Sequence, residues 1–272
     1  MKRTRLSQPV KQSKTVTRPS AKETSSSRTL VVSIGNTSLF GGVFRGHGLE
    51  KSFRVPTASL VQLLQHVPRE INRAVVCSVV PAQTPDVVRF IHRTWNVEAK
   101  LLTYDAAHGL KLGYRKPAQL GADRIAVAIG AAARYPRKHV VVVDCGTATT
   151  VTALHRNGTL LGGAILPGLS LWSEMLTNRT ALLPRVEPRK PGNALARTTE
   201  DAIASGVFFG HLGAIRELLL RIRTEAFGRS DVTVIGTGGL AHMFAEERLF
   251  TTIAPDLILA GLHAFANRAD RP

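Results

Sequence analysis

Acidic residues are scarce in this chain: 19 Asp and Glu stand against 36 Lys and Arg in 272 residues, a formal charge of +17. Cysteine is scarcer still, with only Cys77 and Cys145, neither in a CxxC pair nor a metal-like cluster. This argues against a disulfide framework and a thiolate zinc site. Both cysteines sit in apolar, strand-like runs, so buried reduced thiols are expected, in keeping with a cytoplasmic protein. No uninterrupted apolar run reaches the ~18 residues of a membrane span, and no membrane association is expected. The stacking aromatics and zinc spacings of the usual nucleic-acid modules are missing too, so nucleic-acid binding is not expected as the main function despite the charge.

The charge is unevenly spread. Residues 1–28 hold eight Lys or Arg against the single Glu23, are rich in Ser and Thr, and contain almost no large apolar residues. Such a segment cannot offset its own ordering entropy, and a disordered basic extension is expected. The remainder, with 28 basic and 18 acidic residues, is still basic, which suits anionic metabolites such as nucleotides.

Beyond residue 28, strands and helices alternate, which predicts an α/β fold. Strands are expected at 29–33, 39–44, 74–80, 99–102, 140–144, 232–235 and near Thr251. Helices are expected at 58–66, 86–94, from about Gly121, at 169–177, 198–223, from Leu240, and at 258–265. Asn157-Gly158 signals a two-residue hairpin turn. The helix after Gly121 places Ile125, Ile129 and Ala132 on one face amid alanines and is expected to pack closely.

One stretch organises the chain. Val140 to Thr150 reads VVVVDCGTATT, a buried strand delivering a carboxylate to a glycine turn, and Leu30 to Ser38 reads LVVSIGNTS. Placing Ser33 over Asp144 brings two strand, glycine-turn, strand units into register 111 residues apart. Two similar domains, 29–134 and 135–272, facing one cleft are expected. Each turn offers backbone N–H groups and hydroxyls for a phosphate, and the carboxylate suits a cation. A third glycine turn, Gly236-Thr237-Gly238-Gly239, fits a nucleotide cleft. Asp123 and Arg124 open a helix, where an anionic substrate group is favoured.

At these residues the chain resembles the type III pantothenate kinases of the actin-like ATPase and sugar-kinase superfamily. The likeness spans Leu30 to about Ala266 and rests on motifs in order: IGNT at Ile34, SVVP at Ser78, YRKPAQLGADR at Tyr114, DCGTATT at Asp144, GGAILPG at Gly162, TALLPRVE at Thr180 and TGGL at Thr237. The resemblance implies two ribonuclease H-like domains and transfer of the ATP γ-phosphoryl group to pantothenate, with Mg2+ and a K+ or NH4+ ion. It further implies Asp123 as the base, and a pantothenate pocket of Tyr114, Gly121, Ala122, Asp123, Arg124 and Thr180, the last contributed across a homodimer interface. ATP would lie on Ser33, Ile34, Gly35, Asn36, Thr37, Ser38, Leu39, Phe40 and Thr147, and the monovalent cation on Asp144.

One position departs from the pattern. Family members carry an aspartate where this chain has Ser33, a position that organises the magnesium on the ATP phosphates. A neutral hydroxyl is a weaker ligand for a hard cation. The alternative expectation is therefore a catalytically impaired relative that binds ligand or regulates.

Overall fold

The computed structural model describes residues 27–268, so the expected basic extension lies outside the described residues except for Ser27 and Arg28. The first half supplies β1 (Arg28–Ile34), β2 (Ser38–Arg45), β3 (Gly48–Pro56), β4 (Arg73–Ser78), α1 (Thr84–Trp95) and β5 (Ala99–Leu101). After a two-residue β6 (Lys111–Leu112) come α2 (Ala122–Arg134), β7 (His139–Cys145), β8 (Ala148–Leu154) and β9 (Thr159–Pro167). The chain closes with α3 (Leu169–Arg179), α4 (Thr199–Phe227), β10 (Val232–Thr237), β11 (Thr252–Ile253) and α5 (Leu257–Arg268).

These strands build two sheets with one plan. The first runs β3-β2-β1-β4-β5; the second, read from its far edge, runs β6-β9-β8-β7-β10-β11. Apart from the added β6, the order is the same, with an antiparallel meander followed by two parallel strands. The repeat read from the sequence is thus a repeat of topology. Both central strands are apolar without alternation because each is covered on both faces. Val31 faces inward with Val75 and Cys77 while Leu30, Val32 and Ile34 face outward, and in the second sheet Val140 and Val142 oppose Val141 and Val143 in the same way.

Helices fill the layers. The outer face of the first sheet is covered by α1, whose Val87, Ile91 and Trp95 recur at helical spacing. The second sheet is covered outside by α4, through Ile203, Val207, Phe208, Leu212 and Ile215. At 29 residues and a mean hydropathy of 1.4 over its most apolar window, α4 is long and apolar enough to cross a membrane by length and composition, but half of that window is buried inside the protein. Between the sheets lie α2 and α5. They cross with their backbones in contact: a Cβ added at Gly261 would stand 1.8 Å from the Ala126 carbonyl oxygen, and one at Gly130 2.3 Å from that of Leu257. Sandwiching also explains why every residue of α2 from Arg124 to Ala131 is buried, not just the one face that periodicity picks out.

Three local expectations are corrected. The segment expected as a helix at 58–66 is a 3-10 turn, Leu60–Gln65, because only Leu63 is buried while Val61 and Leu64 are exposed, too few anchors to propagate an α-helix. The helix expected from Leu240 is also 3-10, Ala241–Glu247. The β8–β9 loop has three residues instead of two: the His155 N–H donates to the Thr159 carbonyl (2.8 Å), Gly158 takes φ +81°, and Asn157 Oδ1 accepts from the Thr159 N–H (3.0 Å).

Candidate active site

Duplicated strands end at duplicated turns, and the turns face each other. After β1, the Gly35 N–H donates to the Ser38 carbonyl (3.0 Å); after β7, the Gly146 N–H donates to that of Ala148 (3.2 Å). The second turn is one residue shorter, since Ser33 pairs with Phe40 whereas Asp144 pairs with Thr150. Each turn presents a threonine, and the hydroxyls of Thr37 and Thr147 meet 3.3 Å apart. A cleft of about 190 Å³ lies beneath them.

Three titratable groups face this cleft. Asp123 enters from the first turn of α2, held by the Arg124 N–H, which donates to its Oδ1 (2.7 Å). Asp144 enters from the end of β7, and Arg54 from β3. Burial raises the Asp123 carboxyl above the usual carboxylate range, against the lowering effect of the Arg124 N–H and charge. Burial, reinforced by the Asp123 charge and opposed by Arg54, pushes Asp144 up to about 6. A pair of desolvated carboxylates is the setting in which proton acceptance and cation binding become favourable.

The third glycine turn closes the floor. Gly238 takes φ +85°, and a Cβ there would stand 2.3 Å from Asp144 Oδ1. Thr237, paired with Asp144 in the parallel β7–β10 ladder, donates its hydroxyl to the Ala254 carbonyl (2.7 Å). Beside the first turn, Ser33 is 8% exposed and faces Cys77, its partner on β4; burial, against a lowering effect of Ser33, pushes the Cys77 thiol up to about 12, so it is an inert neighbour.

The cleft gathers Ser33, Ile34, Gly35, Asn36, Thr37, Ser38, Phe40, Asp123, Asp144 and Thr147 from the residues expected at the site. Leu39 is not among them. Its side chain is fully buried in the core on the far face of the first sheet, as strand alternation requires. Tyr114 stacks on the Arg124 guanidinium at 5.5 Å, and Arg124 is buried, donating from Nε to Thr152 Oγ1 (3.2 Å) and from Nη2 to the Val151 carbonyl (3.4 Å). Gly121 and Ala122 line a neighbouring cavity with Val79, Pro81 and Tyr104. Thr180 lies elsewhere, exposed at the end of α3 in an apolar groove with Trp172, Met175 and Leu176.

Sequence reasoning did not single out Arg54, Val79, Thr150, Pro255 or Ile258, all of which line the cleft. Alternation with Phe53 and Val55, buried on the opposite face, turns Arg54 towards the cleft, but its place beside the first turn depends on the β2–β3 register. Among the described residues no three His, Cys, Asp or Glu side chains cluster as a metal site. Two separate carboxylates cannot hold a metal by themselves, so a cation in this cleft would complete its coordination with ligand oxygens and water.

A model of the type III pantothenate kinase family matches residues 29–221. A type III pantothenate kinase of Legionella pneumophila is 38% identical over 249 residues, covering 87% of this chain and 97% of its own. One from Elusimicrobium minutum is 37% identical over 250 residues, covering 86% and 95%. The chain belongs to the type III pantothenate kinase family. Among solved structures, a protein described as a Baf family transcriptional activator of Campylobacter jejuni superposes with a TM-score of 0.58 at 20% identity, covering 88% of this chain and 98% of its own. One described as a 2-dehydro-3-deoxygalactonokinase of Sinorhizobium meliloti also reaches 0.58, at 14% identity, with 90% and 100% covered. At those identities they show the shared fold alone.

Proposed function

We propose that this chain transfers the γ-phosphoryl group of ATP to the primary hydroxyl of pantothenate, giving 4'-phosphopantothenate and ADP, the first step towards coenzyme A. The observation that carries the reading is the meeting of Asp123 with both threonine-bearing turns in one cleft of a chain belonging to this family. In the reaction, the hydroxyl oxygen forms a bond to the γ-phosphorus as the bond to the β-phosphate oxygen breaks. The hydroxyl proton passes to Asp123, whose raised pKa makes it a better acceptor than an ordinary carboxylate. Phosphoryl transfer depends mainly on positioning and charge neutralisation, and the turn N–H groups with the Thr37 and Thr147 hydroxyls supply donors for phosphate oxygens.

Asp144, the most strongly perturbed carboxylate in the cleft, would hold a K+ or NH4+ ion. Magnesium would enter with the nucleotide and neutralise phosphate charge, with Ser33 supplying at most a hydroxyl towards it. Arg124, stacked on Tyr114, would orient the pantothenate end of the pocket. Thr180 would reach a pantothenate site only from a second copy, in a cytoplasmic homodimer. In support, Thr180 borders an apolar groove and lies next to the exposed Met175 and Leu182, not on its own cleft. The family membership favours this enzyme over a catalytically impaired relative.

The test is direct. Purified full-length protein incubated with ATP, Mg2+, K+ and pantothenate should release ADP only when pantothenate is present, with 4'-phosphopantothenate identified by mass spectrometry. No phosphopantothenate at saturating substrates overturns the reading.

A further inference from the structure

Ser33, Phe40 and Arg54 occupy a single cross-strand row. The β1–β2 register pairs Ser33 with Phe40, and the β2–β3 register pairs Phe40 with Arg54. In-register neighbours project from the same face of a sheet. That face is the one looking into the cleft, since Phe53 and Val55, flanking Arg54, are buried on the other side. The guanidinium lies 4.5 Å over the Phe40 ring, and its Nη1 donates to Ser38 Oγ at 2.9 Å. It is therefore held at two points against the first phosphate turn.

The corresponding row of the second sheet is Asp144, Thr150 and Ile165. One row carries an acid at its centre and an exposed isoleucine at its edge; the other carries a neutral hydroxyl at its centre and a cation at its edge. Several arginines outside the cleft do pair with carboxylates, such as Arg28 and Arg45 with Glu50, Arg134 with Asp256 and Arg189 with Asp201. Arg54 forms no such ion pair among the described residues; only a longer-range attraction to Asp144 across the cleft acts on it. A guanidinium positioned by an aromatic face and a hydroxyl, with its remaining donors unpaired by carboxylate, is suited to bidentate recognition of phosphate.

We propose that Arg54 binds the terminal phosphates of the nucleotide, placing a fixed positive charge on the first phosphate turn beside the neutral Ser33. This rests on the reading of the cleft as a nucleotide site and adds a phosphate-binding residue to it. Arg54 touches substrate in this proposal through its Nη and Nε donors, while Phe40 and Ser38 orient it.

The experiment compares ATP, ADP, AMP and adenosine binding by calorimetry to the full-length wild type, Arg54→Lys and Arg54→Met, without pantothenate. Loss of a charge-assisted contact predicts about 10- to 100-fold weaker ATP and ADP binding for Arg54→Met. Adenosine affinity should be unchanged, and Arg54→Lys should fall between, because it keeps the charge and loses the fork. A merely structural role through Phe40 would weaken ATP and adenosine equally, and that result overturns the proposal. So does unchanged ATP affinity in folded Arg54→Met, or a wild type that binds no ATP; if Arg54→Met does not fold, Arg54→Lys binding ATP as tightly as wild type overturns it. A wild type that binds ATP but leaves pantothenate untouched sinks the proposed reaction alone and leaves the role of Arg54 to be read from the same titrations.

Discussion

Thr37 and Thr147, 110 residues apart in the chain, bring their hydroxyls within 3.3 Å of one another across the cleft. The cavity they close is about 190 Å³, below the ~300 Å³ at which small-molecule sites usually begin. On the proposed reading, a nucleotide parts these two turns to enter. The double variant Thr37→Cys with Thr147→Cys should, once oxidised, bind no ATP and recover binding on adding reductant. Undiminished ATP binding by the confirmed disulfide form would show that nucleotide enters without parting the turns.

In the proposed reaction Asp123 accepts the hydroxyl proton. Asp123→Asn should lower kcat by about 10²- to 10⁴-fold. ATP affinity should change little, because the loss falls on proton transfer. Since burial raises the Asp123 pKa, the wild-type rate should decline on the acid side at a higher pH than an unperturbed carboxylate would give, and a pH profile of kcat checks this.

If Asp144 holds the monovalent cation proposed for it, cation binding is linked to pH. With its carboxyl pushed up to about 6, a proton outcompetes the monovalent cation below that pH, so K+ affinity should rise between pH 5 and 7 and then level off. The stability sign is the opposite of the usual carboxylate case. The folded pKa lies above the unfolded value, so the folded state binds more protons and stability falls as pH climbs from about 4 through about 6. Asp144→Asn should therefore raise the melting temperature at pH 7 in K+-free buffer while abolishing the response to K+.

Ser33 stands where the paired repeat has its carboxylate. A carboxylate there should hold the nucleotide's magnesium more firmly and so strengthen the neutralisation of phosphate charge, and loss of one comparable electrostatic contact costs roughly a hundredfold in rate. Ser33→Asp is expected to raise kcat by up to that factor, with half-maximal activity at a lower Mg2+ concentration. An unchanged Mg2+ titration would mean that the present cleft already neutralises the phosphates without it.

The α2–α5 crossing tolerates no side chain. Because a Cβ at Gly261 would lie 1.8 Å from the Ala126 carbonyl oxygen, Gly261→Ala must push the two helices apart and should cost ~1–3 kcal/mol or more by overpacking. Urea denaturation measures it. Gly192→Ala, in a loop with nothing within 4 Å, is the matched control and should be near neutral.

Much of this was legible in the residues, and the reasons differ from place to place. The apolar runs at Val31 and Val140 betray doubly covered strands, and their shared offset reveals the duplicated sheets, because register and turn chemistry are local properties. Asp123 and Asp144 are legible for the same reason: each follows directly from an element boundary. Arg54 was not, since nothing in SFRVP says that β3 pairs Arg54 with Phe40 across from Ser33; that depends on β2–β3 register. Leu39 was assigned to the ATP loop by its neighbours, yet strand alternation turns it to the far face. The short 3-10 turns at Leu60 and Ala241 were invisible because apolar spacing alone does not distinguish a single anchored turn from a propagating helix.

The helix α5 comes from the end of the described chain but roofs the first sheet, with Leu259, Leu262 and Phe265 in the same core as Val31, Phe44 and Val75. During synthesis β1 to β5 therefore emerge with an apolar face that α2 covers only in part, and the portion under α5 stays bare until residues 257–268 have cleared the ribosome. A nascent chain in that condition is open to aggregation and to chaperones. The first sheet to be made is the last to be finished.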